Sequence, residues 1–307
     1  MKFFIRLPSV FSSAQGSIVL LFFVVFCHAI TLVKNKEVWS VALVEDAIIH
    51  AGEYLLTRPI PLKINNKIRF WCDKKAPGFK INRVTYSCFR NEKAAVSAID
   101  DVKMRTKGLV EWWVQHQTKP NNMGFILIKH GFAFDKTMST MIYDFDKNIL
   151  NKTGKMSIAN PVISINRFID RSLIAAWDGI LSASSNNPWP ATHERLKLIE
   201  SILIDKTGPG PKKEYYAGYY HNQLAGTGCL LIMDGFAYLY NVATDQKFRH
   251  KGLAAGMTRT LLARAADLGL RYVVLLTQKG SLAEKMYTEL GFDKVFDRHV
   301  YRWSPKY

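Results

Sequence analysis

Residues 239–264 read LYNVATDQKFRHKGLAAGMTRTLLAR, and this stretch is the most informative one about the fold. Residues 239–244 are apolar, aromatic or β-branched enough to predict a buried strand. A polar turn follows, and apolar residues then recur near the 3.6-residue period of a helix. These residues are Leu253, Met257, Leu261, Leu262, Ala265 and Leu268. The stretch therefore predicts a strand, a basic turn and a long amphipathic helix.

The turn before the helix has the properties of an anion site. The first backbone N–H groups of a helix have no intrahelical partner, and the helix dipole favours negative charge there. Gly252 has no side chain, so a ligand can approach the backbone closely. Arg249, His250 and Lys251 add positive charge. A diphosphate fits such a turn, although many strand–turn–helix units with one glycine bind nothing.

Two motifs in order resemble those of the GNAT superfamily of acyl-CoA N-acyltransferases. Arg249-x-x-Gly252-x-Ala254 fits the Q/R-x-x-G-x-G/A pattern with which that superfamily holds the coenzyme A pyrophosphate. Tyr287 lies on a second predicted helix and precedes Leu290-Gly291-Phe292, the second signature of the superfamily. The resemblance implies an α/β GNAT fold in which helices flank a mixed central sheet.

The resemblance also divides the chain. Residues 157–307 would form the catalytic GNAT acetyltransferase domain. Residues 35–146 repeat its order of strands and helices, and His130-Gly131-Phe132 stands where Leu290-Gly291-Phe292 stands in the second half. The glycine motif is missing near Arg90. The chain therefore resembles a bacterial GNAT group with a degenerate, incomplete N-terminal GNAT-like half, and only the second half is expected to hold coenzyme A.

The resemblance implies that an acetyl group moves from acetyl-CoA to an amine by direct attack in a ternary complex. Tyr287 would protonate the leaving thiolate. The strand predicted over residues 239–244 and the basic turn after it would bind acetyl-CoA. The binding residues would be Val242, Ala243, Thr244, Arg249, His250, Lys251, Gly252, Leu253 and Ala254. Asn187 and Trp189 are candidate acceptor contacts, and loop polarity alone explains them equally well. The general base is not identified; Tyr240, His221 and a water chain are options.

Residues 1–34 form a separate hydrophobic N-terminal segment. Lys2 and Arg6 precede an uninterrupted apolar run over residues 18–26, which is short for a membrane span of about 20 residues. A signal peptide, a membrane anchor through residues 17–33 and a start site placed too far upstream all remain open. Basic residues flank both ends of the run, so the orientation is not readable. We expect a cytoplasmic catalytic domain, tethered if the segment is an anchor.

Composition excludes several other classes. The hydrophobic fraction of 48% suits a packed core, and the net charge of +17 is spread along the chain, which disfavours a nucleic-acid binder. The four cysteines form no metal-like cluster with histidine, and we expect free thiols and no metal site. Two alternatives to an enzyme stay open: a non-catalytic acyl-CoA-binding module and a membrane-associated interaction protein. The oligomeric state is open.

Overall fold

The structure is a computed structural model, and it describes nine stretches of the chain. These are residues 40–41, 44, 60–64, 67–72, 82–106, 108–148, 160–167, 170–184 and 212–305. The hydrophobic N-terminal segment, most of the helix predicted over 37–56, and Asn187 and Trp189 lie outside the described residues.

The described part of the chain includes eleven strands and five α-helices whose bounds are defined. The strands are β1 (Ile60–Ile64), β2 (Ile68–Cys72), β3 (Arg83–Ser87), β4 (Val110–Val114), β5 (Ala133–Asp144), β6 (Ile163–Arg167), β7 (Lys212–Tyr220), β8 (Gln223–Ile232), β9 (Phe236–Thr244), β10 (Tyr272–Gln278) and β11 (Asp293–Trp303). The helices are α1 (Glu92–Thr106), α2 (Met123–Lys129), α3 (Ile174–Ala183), α4 (Leu253–Asp267) and α5 (Leu282–Glu289). The predicted mixed α/β fold with a central sheet flanked by helices is confirmed.

The strands form one mixed sheet in the order β1-β2-β3-β4-β11-β5-β10-β9-β8-β7-β6. In each half, the last strand is separated from the other strands of that half by a strand of the other half. β11 inserts between β4 and β5, and β5 pairs antiparallel with β10. The two halves therefore exchange their last strands, and each completes the sheet of the other.

The first half repeats the second from its parallel strand pair onward. β3 pairs parallel with β4 across α1, and β9 pairs parallel with β10 across α4. Both short helices, α2 and α5, are followed by a glycine with positive φ, at Gly131 (φ 79°) and Gly291 (φ 97°). The left-handed backbone ends the helix and starts the exchanged strand.

Helix α4 lies directly on β8 because two glycines leave room for it. A Cβ at Gly226 would come within 2.8 Å of Leu253, and a Cβ at Gly228 would come within 2.6 Å of Met257 Sδ. Both distances are shorter than carbon atoms tolerate. The glycines thus set the height of α4 above the sheet, and with it the position of its N-terminus.

A buried carboxylate fixes the other end of α4 to the sheet. Arg264 donates two hydrogen bonds to Glu214 on β7, at 3.0 and 2.8 Å, and the Tyr216 hydroxyl donates a third at 2.8 Å. Burial alone would raise the pKa of Glu214, but the hydrogen bonds from Arg264 and Tyr216 lower it below its ordinary value.

Some predicted boundaries differ from the structure. The first strand of the second half was predicted over 157–167 but begins at Ile163, because Asn160 and Pro161 form a turn in which the Asn160 side chain accepts from the amide of Val162. The first hairpin turn is His221–Asn222, both with positive φ, one residue earlier than predicted. β1 was not predicted, since Pro61 suggested only a helix end.

Candidate functional site

Two neighbouring parallel strands separate at one end and open a gap in the sheet. β9 and β10 pair from Phe236–Tyr272 as far as Leu239–Leu275. Beyond that point β9 runs on to Thr244 paired with β8 alone, while β10 stays paired with β5 as far as Gln278. The backbone edge of β9 after Leu239 is therefore available to an extended ligand.

A bulge in β9 lies at the start of this gap. Thr227 is opposite Ala243 and Cys229 is opposite Tyr240, so β9 contains one more residue than β8 here. Asn241 takes the left-handed conformation (φ 54°), and its carbonyl accepts a 2.7 Å hydrogen bond from the Thr227 hydroxyl. A bulge bends its strand, which turns β9 away from β10. Sequence analysis did not single out Asn241, although asparagine within a strand pattern is a signal of such a conformation.

The predicted strand contacts Val242, Ala243 and Thr244 lie along the gap. The Asp245 amide donates to the carbonyl of Ala225 on β8, at 2.8 Å. Because backbone groups alternate between the two edges of a strand, Ala243 also faces β8 and the backbone of Val242 and Thr244 faces the gap. The buried Thr244 hydroxyl has no hydrogen-bond partner in the described part of the chain.

The predicted anion turn ends beside this edge, at the N-terminus of α4. Gly252 is the N-cap residue, with φ 84°, and no side chain caps the helix there. A Cβ at Gly252 would meet only the Ile163 side chain, at 4.0 Å. Leu253 is buried under the turn and Ala254 follows it. The first-turn amides therefore face open space, as the sequence pattern predicts for an anion site.

The basic residues of the turn differ in their surroundings. Arg249 is exposed, and its Nε lies 3.5 Å from the carbonyl of Thr244. His250 is exposed and has positive φ. Lys251 Nζ lies 4.6 Å from the ring centroid of Tyr220, in cation–π contact. The structure thus brings all three predicted basic residues to the same end of α4.

Tyr287 lies on α5 and is buried against α4. Its ring packs edge-on against Phe292, with centroids 5.5 Å apart. Its hydroxyl hydrogen-bonds with Thr258 on α4, and the Thr258 hydroxyl in turn donates to the carbonyl of Ala254 at 2.9 Å. Burial raises the pKa of Tyr287, so the phenol is protonated at neutral pH. Sequence analysis missed Thr258, the group that connects Tyr287 with the anion turn.

The two side chains named as options for the base lie in different surroundings. Tyr240 lies on the opposite face of the sheet from α4, and burial raises its pKa well above the ordinary value. A phenol with a raised pKa is a poor base at neutral pH. His221 is exposed in the β7–β8 turn. The base stays unassigned.

The corresponding place in the first half is built differently. Only Cys88–Asn91 separate β3 from α1, and the Asn91 side chain accepts from the amide of Ala94, at 3.0 Å. The Asn91 side chain therefore accepts a hydrogen bond from a first-turn amide of this helix, which is then not available to a ligand. The amide of Phe132 donates to the carbonyl of Leu127, as the amide of Phe292 donates to the carbonyl of Tyr287. Leu127 therefore has, in the first half, the position that Tyr287 has in the second.

Residues 175–292 match the family model described as "Acetyltransferase (GNAT) family". This part of the chain is a GNAT acetyltransferase domain. The match covers the bulge, the anion turn and Tyr287, and it ends at Phe292. The match supports acyl transfer in general for this part of the chain. No curated protein matches the chain.

Solved structures with the same fold include proteins that align with most of this chain. A functionally unknown conserved protein from Staphylococcus epidermidis is 12% identical with a TM-score of 0.62; the alignment covers 83% of this chain and 97% of that one. A GCN5-related N-acetyltransferase from Kribbella flavida is 12% identical with a TM-score of 0.59, covering 85% and 96%. A tandem GNAT protein from the clavulanic acid biosynthesis pathway is 12% identical with a TM-score of 0.57, covering 78% and 79%. At these identities the likeness shows the fold alone.

Three further observations concern the described residues only. Cys72, Cys88 and Cys229 form no disulfide bond with one another. No group of three or more potential ligands in the described stretches is arranged to hold a metal ion. None of the described helices combines the length and the apolar character that crossing a membrane requires.

Proposed function

We propose that this chain is an N-acetyltransferase that moves the acetyl group of acetyl-CoA to an amine. The observation that carries the proposal is the gap between β9 and β10 beside the uncapped N-terminus of α4. A thioester with a long polar arm and a diphosphate needs an extended edge and an anion site in this order. The match of residues 175–292 to a family model described as acetyltransferases supports the reaction class.

In the proposed complex, the pantetheine arm lies along β9 and hydrogen-bonds with the backbone of Val242 and Thr244. The diphosphate lies against the amides of the turn that ends at Gly252 and Ala254. Arg249 and Lys251 offset its charge. Coenzyme A binds in the second half only, because Asn91 caps the corresponding helix of the first half.

The reaction proceeds by direct attack in a ternary complex. The amine nitrogen forms a bond to the thioester carbonyl carbon, the carbon–sulfur bond breaks, and the thiolate takes a proton from Tyr287. The amine loses a proton to a base or to water, and Tyr287 regains one from solvent. The raised pKa of Tyr287 keeps the proton on the phenol until the thiolate forms.

The partners of the proposed enzyme are acetyl-CoA and an amine acceptor in the cytoplasm. Residues 17–33 would tether it if they form an anchor. The exposed basic residues of the described chain are distributed over both halves, which gives no argument for a nucleic-acid partner.

The test is release of free thiol from acetyl-CoA by the purified protein with a panel of amines. Gly252→Glu should weaken acetyl-CoA binding at least about tenfold, because the carboxylate meets the diphosphate where the protein leaves open space. Gly269→Glu is the control, since Gly269 has a similar φ of 69° at the far end of α4 and open space around its Cβ position. Calorimetry should find one site per chain.

Equal affinity of wild type and Gly252→Glu would refute the assigned cofactor site. Tight acetyl-CoA binding without thiol release for any amine would instead favour the non-catalytic acyl-CoA-binding module. The two measurements therefore separate binding from catalysis.

A further inference from the structure

The first half exposes a group of large apolar side chains at helix α2. Phe125 and Ile128 on α2 are 57% and 52% exposed, and Phe134 at the start of β5 is 52% exposed. Tyr301 connects them: its ring lies 5.7 Å from that of Phe134, and its hydroxyl lies against Gly124 on α2. We call Phe125, Ile128, Phe134 and Tyr301 the apolar patch.

The apolar patch lies on the outer face of α2. The inner face is occupied by Met123, Ile126 and Leu127, which are all fully buried in the core of the first half. Phe125 and Ile128 therefore project outward from a helix whose packing is complete without them. Such a projecting surface suits a flat, deformable partner better than a peptide that needs a groove.

The surroundings of the apolar patch are basic. Lys129 Nζ lies 4.6 Å from the ring centroid of Phe125, and Lys119 is exposed in the segment before α2. The sequence contains no acidic residue between Glu111 and Asp135. Asp135 pairs with Arg302 at 3.2 Å, so its charge is compensated. An acidic partner is favoured locally, as it is by the net charge of +17.

The equivalent helix of the second half lacks this combination. Leu282 on α5 is 74% exposed, but Glu284 and Glu289 are on the same helix. Acidic residues repel an anionic surface. The contrast provides a matched control within one chain, since the two helices occupy the same place in the repeat.

We propose that the apolar patch docks the protein onto an anionic lipid bilayer. Phe125, Ile128 and Phe134 insert at the level of the headgroups, where aromatic and aliphatic side chains gain by burial. Lys129 and Lys119 extend to the lipid phosphates, since a lysine buries its stem and keeps its charge at the surface. This docking is independent of the acyl-transfer site on the second half.

Vesicle sedimentation of the full chain tests the proposal. Vesicles of phosphatidylcholine with about 30% phosphatidylglycerol should bind it more tightly than phosphatidylcholine alone, and added salt should weaken the binding. The double variant Phe125→Ser, Ile128→Ser should lose about tenfold in partitioning, because two apolar side chains no longer insert. Leu282→Ser should bind like wild type. Residues 1–34 are the same in all three proteins.

A label reports insertion at the patch itself, whatever the N-terminal segment does. Ile128→Cys and Leu282→Cys, each with Cys27→Ser and Cys88→Ser, carry an environment-sensitive nitrobenzoxadiazole dye. With anionic vesicles the emission at position 128 should shift to the blue and that at position 282 should not. No shift at 128, or equal shifts at both positions, overturns the proposal. A dimer in solution that Phe125→Ser, Ile128→Ser dissociates would assign the patch to a second copy of the chain and also overturn it.

Discussion

The hydroxyl of Tyr287 has a structural and a proposed chemical role, and one substitution separates them. Tyr287→Phe removes the hydroxyl and keeps the ring that packs on Phe292. If the hydroxyl protonates the thiolate, turnover should fall about 10²- to 10⁴-fold while acetyl-CoA affinity stays nearly unchanged. Steady-state kinetics and calorimetry measure both quantities. The loss should be smaller where product release limits the rate.

A thermal melt provides the control for this variant. Loss of the hydrogen bond to Thr258 should cost about 1 kcal/mol, a shift of a few degrees at most. Unchanged turnover with a lower melting temperature would make Tyr287 a core aromatic only. The rate enhancement would then come mainly from the alignment of the bound thioester with the amine.

Single residues show how much of the geometry of the candidate site the sequence predicted. Gly252 and its basic neighbours were predicted, because an uncapped helix start with a glycine has a local sequence signal. Asn241 and Thr258 were not, because each depends on a partner from elsewhere in the chain: Asn241 on the Thr227 hydroxyl and Thr258 on Tyr287. Contacts of this kind leave no periodic pattern.

At the scale of elements, the close packing of α4 on β8 leads to a prediction about the proposed cofactor site. Gly228→Ala places a Cβ 2.6 Å from Met257 Sδ, so α4 must move or Met257 must change rotamer. Overpacking of this kind costs about 1–3 kcal/mol, and a shift of α4 displaces the anion turn. We expect a lower melting temperature and weaker acetyl-CoA binding.

Gly218→Ala is the matched control for Gly228→Ala. Its Cβ would lie 3.2 Å from the flexible end of Met257, which can move aside. A smaller loss of stability and unchanged acetyl-CoA binding are expected. If both variants bind acetyl-CoA like wild type, the height of α4 does not control the site.

The contact between Glu214 and Arg264 makes the anchoring of α4 depend on pH. Hydrogen bonds from Arg264 and Tyr216 hold the pKa of Glu214 below that of an unfolded glutamate, about 4.3. The carboxylate therefore stabilises the fold above that pH, and the contribution is lost as the pH falls through the lower pKa of the folded state. Glu214→Gln should lower the free energy of unfolding by about 1.5–3 kcal/mol at pH 7.

Urea unfolding at several pH values measures this difference. The difference in free energy of unfolding between wild type and Glu214→Gln should become smaller below about pH 4, where the wild-type carboxyl becomes protonated. A difference that stays constant down to pH 3 would show that the lower stability of Glu214→Gln arises from packing and not from the charge.

At the scale of the whole molecule, the sequence predicted two related halves but not their exchange of strands. The repeat was visible because His130-Gly131-Phe132 and Leu290-Gly291-Phe292 follow similar helices, which is a local pattern. The pairing of β11 with β4 joins residues nearly two hundred positions apart in the chain. Periodicity determines which face of a strand is buried, and it does not determine the neighbour.

The exchange of strands predicts that neither half folds alone. β11 is paired on both edges, with β5 over Asp293–Arg302 and with β4 over His299–Trp303. Without the second half, β4 and β5 would each expose an unpaired edge next to buried apolar side chains such as Trp112 and Met141. Residues 35–146 and 157–307, produced separately, should be unfolded or aggregated. Produced together, they should form a complex.

A protease site inserted between residues 149 and 159 tests this prediction on the folded protein. After cleavage the two pieces should co-elute, keep their circular dichroism and melt in a single transition, since one sheet holds both. Each piece separated in urea and refolded alone should fail to recover that signal, and mixing the pieces should restore it together with any acetyl-CoA binding. A first-half piece that refolds alone with a cooperative melt would show that its sheet is complete without β11. The exchange would then be a way of joining two independent domains, and the stability of the acyl-transfer half would not depend on the first half.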